Sequence, residues 1–150
     1  MSNKSKRMKS ILELAQHDEK AAMELLGESS RNLAANIKQL EDLKEYRDEY
    51  RQQMLQQGEG GFSGAKMQQF QRFLLKLDEV IVHQKEQIVV SEQVREQTQE
   101  AWLQTRTRTH ALDTVTQRYL DSEAQEQQRK EQKENDEMAQ QRSEMRRRDI

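Results

Sequence analysis

Apolar residues recur along this chain at alternating steps of three and four. From Met8 to Met54 one heptad register runs without a break. Leu12, Leu26, Leu33, Leu40 and Met54 fall at a, and Met8, Ala15, Ala22, Leu43 and Tyr50 fall at d. Glu19, Ser29, Asn36 and Arg47 interrupt the same seam with polar groups. The seam is therefore expected to be weak and wet there, with flanking Leu25 and Ile37 rotating in to share the contact. A second stripe runs through Phe70, Phe73, Leu74, Leu77, Val80, Ile81 and Ile88. Beyond it the seam thins. Gln84, Gln87, Ser91, Thr98, Thr105 and Arg108 take a or d positions, and Val94, Ala101, Trp102, Leu112, Val115 and Tyr119 supply intermittent apolar contact.

Between the stripes lies Gly58-Glu59-Gly60-Gly61-Phe62-Ser63-Gly64, which holds all but one of the chain's five glycines; there is no proline. Glycine visits φ > 0 freely, so this cluster marks a reversal of the chain. The pattern predicts an all-α fold, two long helices in an antiparallel coiled-coil hairpin, as a single elongated domain over residues 1–150. The first helix should run over about 5–57, the turn over 58–64 and the second helix over about 65–140. Ser5 or Ser10 should start the first helix, Ser10 making a capping box with Glu13, and Ser63 should cap the second. Gly27 stands alone inside the first helix, where it costs about 1 kcal/mol relative to alanine. Close approach of the partner helix would account for it, and so would a kink.

Lengths sharpen the picture. At 1.5 Å per residue the first helix is roughly 75 Å long and the second roughly 110 Å. Residues past about Tyr119 thus have no partner within the chain. That overhang, 121–150, is rich in Gln, Glu, Lys and Arg, ends in Arg146-Arg147-Arg148, and alone should be a frayed helix or disordered.

Composition narrows the function. Hydrophobic residues make up 33% and charged residues 35%, enough for a narrow seam and too little for a layered core. A net charge of -2 selects neither nucleic acid nor an acidic substrate. Without cysteine there is neither a disulfide framework nor a thiolate metal site. No run approaches the roughly 20 apolar residues of a membrane span, so a cytoplasmic protein with at most peripheral membrane association is expected. His17, His83 and His110 are scattered and read as surface residues, and the glycine cluster lacks the Lys-Ser/Thr of a phosphate-binding loop. No catalytic, cofactor or metal site is expected.

One constellation remains. Gln39, Leu43, Tyr46 and Tyr50 are spaced by four, three and four, as are Phe73, Leu77, Val80 and Gln84. Paired in antiparallel order, every couple adds to the same total, the condition for lying side by side in one hairpin. The double stripe is either the seam itself or, since Gln39 and Tyr46 fall at g, an exposed strip for a partner.

Three segments carry a family resemblance. Ala22-Met23-Glu24-Leu25-Leu26-Gly27-Glu28, Leu40-Glu41-Asp42-Leu43-Lys44-Glu45-Tyr46-Arg47-Asp48-Glu49-Tyr50-Arg51 and Met67-Gln68-Gln69-Phe70-Gln71-Arg72-Phe73-Leu74-Leu75-Lys76-Leu77, in that order about the glycine tip, resemble the FliJ family of the bacterial flagellar export apparatus. Trp102 and the polar tail Asp136-Glu137-Met138-Ala139-Gln140 fit as well. The resemblance implies a hairpin similar to the γ-subunit stalk of rotary ATPases. It further implies a non-enzymatic partner of the hexameric export ATPase, of the cytoplasmic domain of the membrane-embedded export gate, and of export chaperones, peripheral on the cytoplasmic side of the inner membrane. The family's gate-contacting patch matches Gln39, Leu43, Tyr46, Tyr50, Phe73, Leu77 and Val80. At its last position Gln84 replaces a histidine and His83 is the neighbour. A stalk of a non-flagellar type III secretion system, or a generic coiled-coil scaffold, would share the hairpin.

Overall fold

The computed structural model describes residues 3–61 and 63–149; Phe62 of the expected turn, the first two residues and Ile150 lie outside the described residues. Two α-helices account for nearly everything described, α1 (Asn3–Glu59) and α2 (Gly64–Arg148), and they pack against each other antiparallel. No strand occurs among the described residues, so the fold is all-α. Contacts divide the chain into two units, Ala21–Leu103 and Met1–Lys20 with Gln104–Ile150.

The first unit contains the turn. Gly61 adopts φ 74°, a conformation that a Cβ would strain, and its N–H donates to the Gly58 carbonyl at 3.0 Å. Ser63 caps α2 as expected. Its hydroxyl accepts from the Lys66 N–H at 3.3 Å, and its carbonyl accepts from the N–H groups of Lys66 and Met67 at 3.1 Å. At the other end of the chain the capping box at Ser10 does not form. Helix α1 is already running at that point, and the Ser10 hydroxyl donates back to the Lys6 carbonyl at 3.2 Å. The Lys-rich residues before Ser10 are good helix formers with nothing to stop them.

Burial follows the heptad register. In the turn-containing unit Ala22, Phe70, Leu77 and Ile81 are buried, and Leu26, Leu33, Leu40, Leu43, Tyr50, Met54, Phe73, Leu74 and Ile88 are half-buried. Some expectations fail at the edges of the seam. Leu25, Ile37, Val80 and Val94 are exposed, and so are Gln87, Ala101 and Arg108. A seam takes two positions in seven, and the register gives both to other residues.

Of the four polar seam positions of α1, Ser29, Asn36 and Arg47 behave unlike the wet gaps anticipated, because they bond across to α2, whereas Glu19 lines a hollow open to solvent. Ser29 and Thr98 share a hydrogen bond of 2.6 Å between hydroxyls. Asn36 Nδ2 donates to Ser91 Oγ at 2.6 Å, and Gln84 Nε2 donates to the Asn36 backbone carbonyl at 2.9 Å and lies 3.4 Å from its Oδ1. Arg47 reaches outward to Asp78, Nη1 to Oδ1 at 3.3 Å, while its buried Nε has no hydrogen-bond partner. Each pairing answers the desolvation of a buried polar group, which costs about 1–3 kcal/mol if left unmet.

Gly27 is half-buried and does not mediate close approach of α2. A Cβ built there would meet only the Arg31 Nη1, at 3.3 Å, the far end of an exposed side chain. Gly27→Ala is accordingly expected to raise stability by about 0.5–1 kcal/mol, since Arg31 can swing aside and the helix gains propensity. Urea denaturation checks this, and a lowered midpoint would show that the glycine has a packing role after all.

In the second unit Ala15 and Thr116 are buried, Trp102 belongs to the neighbouring unit, and Thr105, Leu112, Val115 and Tyr119 are half-buried. The Thr109 hydroxyl lies 3.2 Å from the Ala15 carbonyl across the two helices. From residue 124 to residue 149 every residue is exposed, yet the helix continues to Arg148, past the expected end near 140. Glu, Gln, Lys, Arg and Ala dominate here and all favour helix, helped by spaced pairs such as Gln127 with Glu131 at 3.4 Å.

Candidate functional site: an aromatic edge beside the seam

The eight residues of the double stripe lie in the turn-containing unit but divide by depth. Leu77 and Gln84 are buried in the seam. Leu43, Tyr50 and Phe73 are half-buried, and Gln39 is exposed. Tyr46 and Val80 each keep 48% of their surface exposed. The heptad explains the split: Tyr46 and Gln39 at g on α1, and Phe73 and Val80 at the matching positions of α2, line one edge of the seam. Neither reading of the stripe is right for all eight residues.

Aromatic packing holds the edge in place. The Tyr50 and Phe73 ring centroids are 4.4 Å apart, and those of Tyr50 and Phe70 are 5.0 Å apart. Tyr46 stands edge-on to Phe73 at 6.1 Å and 78°. Such pairs contribute about 0.5–1.5 kcal/mol beyond burial of area. Phe73 is thus a brace, with Tyr50, itself packed on Phe70, on one side and the exposed ring of Tyr46 on the other. The antiparallel pairing drawn from the spacing holds for Tyr50 with Phe73. It fails for Gln84, whose amide bonds to Asn36 instead of facing Gln39. Gln84 is spent inside the hairpin and is not part of the surface.

Sequence reasoning overlooked the Asn36, Gln84 and Ser91 layer and the Arg47–Asp78 pair. The signal was present, since polar residues occupy seam positions on both helices, but matching them requires the hairpin register.

Elsewhere the chemistry is sparse. In the second unit Gln16, Glu19, Arg106, Thr109, His110 and Asp113 line a shallow polar hollow of about 270 Å³ that opens to solvent. His17 is not among its lining residues. Among the described residues, no group of three or more His, Cys, Asp or Glu side chains is placed to hold a metal ion. No helix among the described residues is long and apolar enough to cross a membrane.

These features define a class: an antiparallel coiled-coil protein whose distinctive side chains form an exposed edge along the seam. Within that class the chain belongs to the Flagellar FliJ protein family, whose model matches residues 4–148. It is thereby a component of the flagellar export apparatus, in agreement with the resemblance carried by the three segments around the turn. Comparison with curated proteins finds no match, and comparison with solved structures finds none.

Proposed function

We propose that this chain is a non-enzymatic, stalk-like partner in flagellar export. It binds the export ATPase ring, presents its aromatic edge to the cytoplasmic domain of the export gate, and handles export chaperones at the cytoplasmic face of the inner membrane. One observation carries the gate assignment: Tyr46 and Val80 stay half exposed beside a seam that has room for neither, while Phe73 holds the Tyr46 ring in position. A rigid aromatic edge flanked by seam packing suits a hot spot, because little side-chain entropy remains to be lost on docking. The contact surface narrows to Gln39, Tyr46, Phe73 and Val80, with Leu43 and Tyr50 as support and Leu77 and Gln84 as interior.

The helical extension 121–148 suits the ATPase ring, since its exposed side chains are left for intermolecular contact. The test is co-purification from flagellated cells. The intact chain is expected to retain both the export ATPase and the gate protein. Removal of residues 121–150 is expected to reduce ATPase recovery several-fold while gate recovery persists. Undiminished ATPase recovery and activation would count against the tail assignment. Loss of neither protein from the Tyr46 and Val80 variant discussed below would count against the edge.

A further inference from the structure

The edge that carries Tyr46 runs on past it, away from the turn. Leu25, Asn32, Gln39, Tyr46 and Gln53 occupy the g row of α1, and Phe73, Val80, Gln87, Val94 and Ala101 occupy the matching row of α2. None of them is charged, in a chain with 35% charged residues. The next row outward on α2 continues the pattern with His83, Val90 and Gln97, and Lys76 closes it on the turn side. The opposite edge of the same unit holds Lys44, Arg51, Asp78, Lys85 and Glu92. Aspartate, glutamate, lysine and arginine are thus absent from one edge only, over the ~32 Å from Val80 to Ala101.

Apolar residues gather at the end of this strip remote from the turn. Ser29 with Thr98, and Asn36 with both Gln84 and Ser91, keep the helices in step there. Leu25 lies three heptads before Tyr46 and Val94 three heptads after Phe73, so the register sets Leu25 against Val94 as it sets Tyr46 against Phe73, with Ala101 one heptad on. Val90 stands one helical turn from Val94. Leu25, Val90 and Val94 keep 57%, 51% and 44% of their surface exposed, and Ala101 is exposed. Both helices therefore contribute to one apolar patch with no ionic group inside it; Arg95, next to Val94 in the chain, belongs to the seam row of Leu74, Ile81 and Ile88.

The two margins carry the same sign. On α1 the row outside Leu25 and Tyr46 holds Glu28, Asp42 and Glu49, and on α2 the row outside His83 and Val90 holds Glu79, Glu86 and Glu100. From Ala21 to Glu49 and from Glu79 to Glu100 neither row has a lysine or arginine. Asp42 is engaged with Lys38 at 3.6 Å, and Glu86 lies 4.0 Å from His83. An uncharged strip between acidic margins complements an amphipathic helix whose apolar face is flanked by lysine or arginine, and no charge at its centre has to be stripped of water. A second copy of the same edge would set acid against acid.

We infer that the patch of Leu25, Val90, Val94 and Ala101 docks an amphipathic helix of another protein with basic flanks. The inference does not rest on the gate assignment of Tyr46, and the probes contain no gate sequence. They are two synthetic helices of about three heptads, both with Leu at a and d, one with Lys and the other with Glu at e and g. The chain has no cysteine, so Ala101→Cys places a single environment-sensitive dye on the patch and Arg51→Cys places one on the opposite edge. Titration of the full chain is expected to show the Lys peptide binding at least about tenfold more tightly than the Glu peptide, with a response from the dye at position 101 and none from that at position 51. Leu25→Gln with Val90→Gln and Val94→Gln should lower Lys-peptide affinity at least about tenfold, with helix content by circular dichroism preserved because glutamine favours helix at exposed positions. Glu28→Gln with Glu100→Gln leaves the patch intact and should lower affinity less while flattening its salt dependence. Equal binding of both peptides would overturn the inference, as would a response confined to position 51. Undiminished binding by the triple glutamine variant would overturn it by revealing adhesion through charge alone. Concentration-dependent self-association of the unmodified chain, abolished in the triple variant, would do so by assigning the patch to a second copy.

Discussion

Tyr46→Ala combined with Val80→Asp is expected to weaken binding to the cytoplasmic domain of the export gate by about thirtyfold or more and to abolish motility, while the thermal midpoint moves by only a few degrees. The reasoning rests on depth. Both side chains are half exposed, and substitutions at such positions cost about 0.5 kcal/mol or little more. At a docked interface an aromatic anchor and its apolar neighbour commonly contribute at least about 2 kcal/mol, which is the thirtyfold loss. Phe73 is a poor choice for the same purpose. Its ring packs on both Tyr50 and Tyr46, so Phe73→Ala is expected to remove about 2–3 kcal/mol of stability and to confuse loss of a surface with loss of a fold. Isothermal titration with the isolated gate domain, run beside circular dichroism melts, separates the two. Unaltered affinity in the Tyr46 and Val80 variant would remove the edge from consideration, and a collapsed melt would return both residues to the seam.

The second large effect concerns the polar layer. Asn36→Ala should destabilise the protein by about 1–3 kcal/mol, because the 2.6 Å bond to Ser91 is lost and the Gln84 amide keeps only the backbone carbonyl of residue 36. Replacing the whole layer should do the opposite. Asn36→Leu, Gln84→Leu and Ser91→Ala together exchange buried hydrogen-bonding groups for apolar contact, and the melting temperature should rise. Uniqueness should fall in return, since hydrocarbon layers fit several axial offsets and amide-hydroxyl layers fit one. Spin labels on the two helices, read as a distance distribution, should show one narrow peak in the native chain and a broadened one in the apolar triple variant. A single narrow peak in that variant would mean the turn sets the register alone.

Much of this molecule can be read from the order of its residues. A heptad seam from Met8 to Met54, a mirrored stripe from Phe70 onward and a glycine cluster between them leave few alternatives to a hairpin. The cap at Ser63 and the positive φ among the glycines follow from elementary backbone sterics. Difficulty begins one position off the seam. Leu25, Ile37 and Val80 are as apolar as their buried neighbours, and only the competition for two places in seven leaves them outside. Ser10 with Glu13 imitates a helix start, but a capping sequence has no effect where the residues before it are already helical. The candidate site was legible as a set of eight residues and illegible as a surface. Spacing aligns side chains along a helix, whereas the choice between Gln39 outside and Gln84 inside depends on which partner, here Asn36, can satisfy a buried amide.

The aromatic cluster behind the turn also has a bearing on time. Tyr50 and Phe70 can meet by closing a short loop, whereas Arg47 with Asp78, Asn36 with Ser91 and Ser29 with Thr98 stand 31, 55 and 69 residues apart along the chain. Loop closure costs entropy that rises with length, and the first closure shortens the effective loop for every later one. Tyr50, Phe70 and Phe73 therefore hold the cheapest long-range contact in the unit and lie where assembly of the two helices begins. The same rings that steady Tyr46 at the surface would then set the folding rate, so that a substitution there slows folding while one at Ser29 or Thr98 chiefly quickens unfolding.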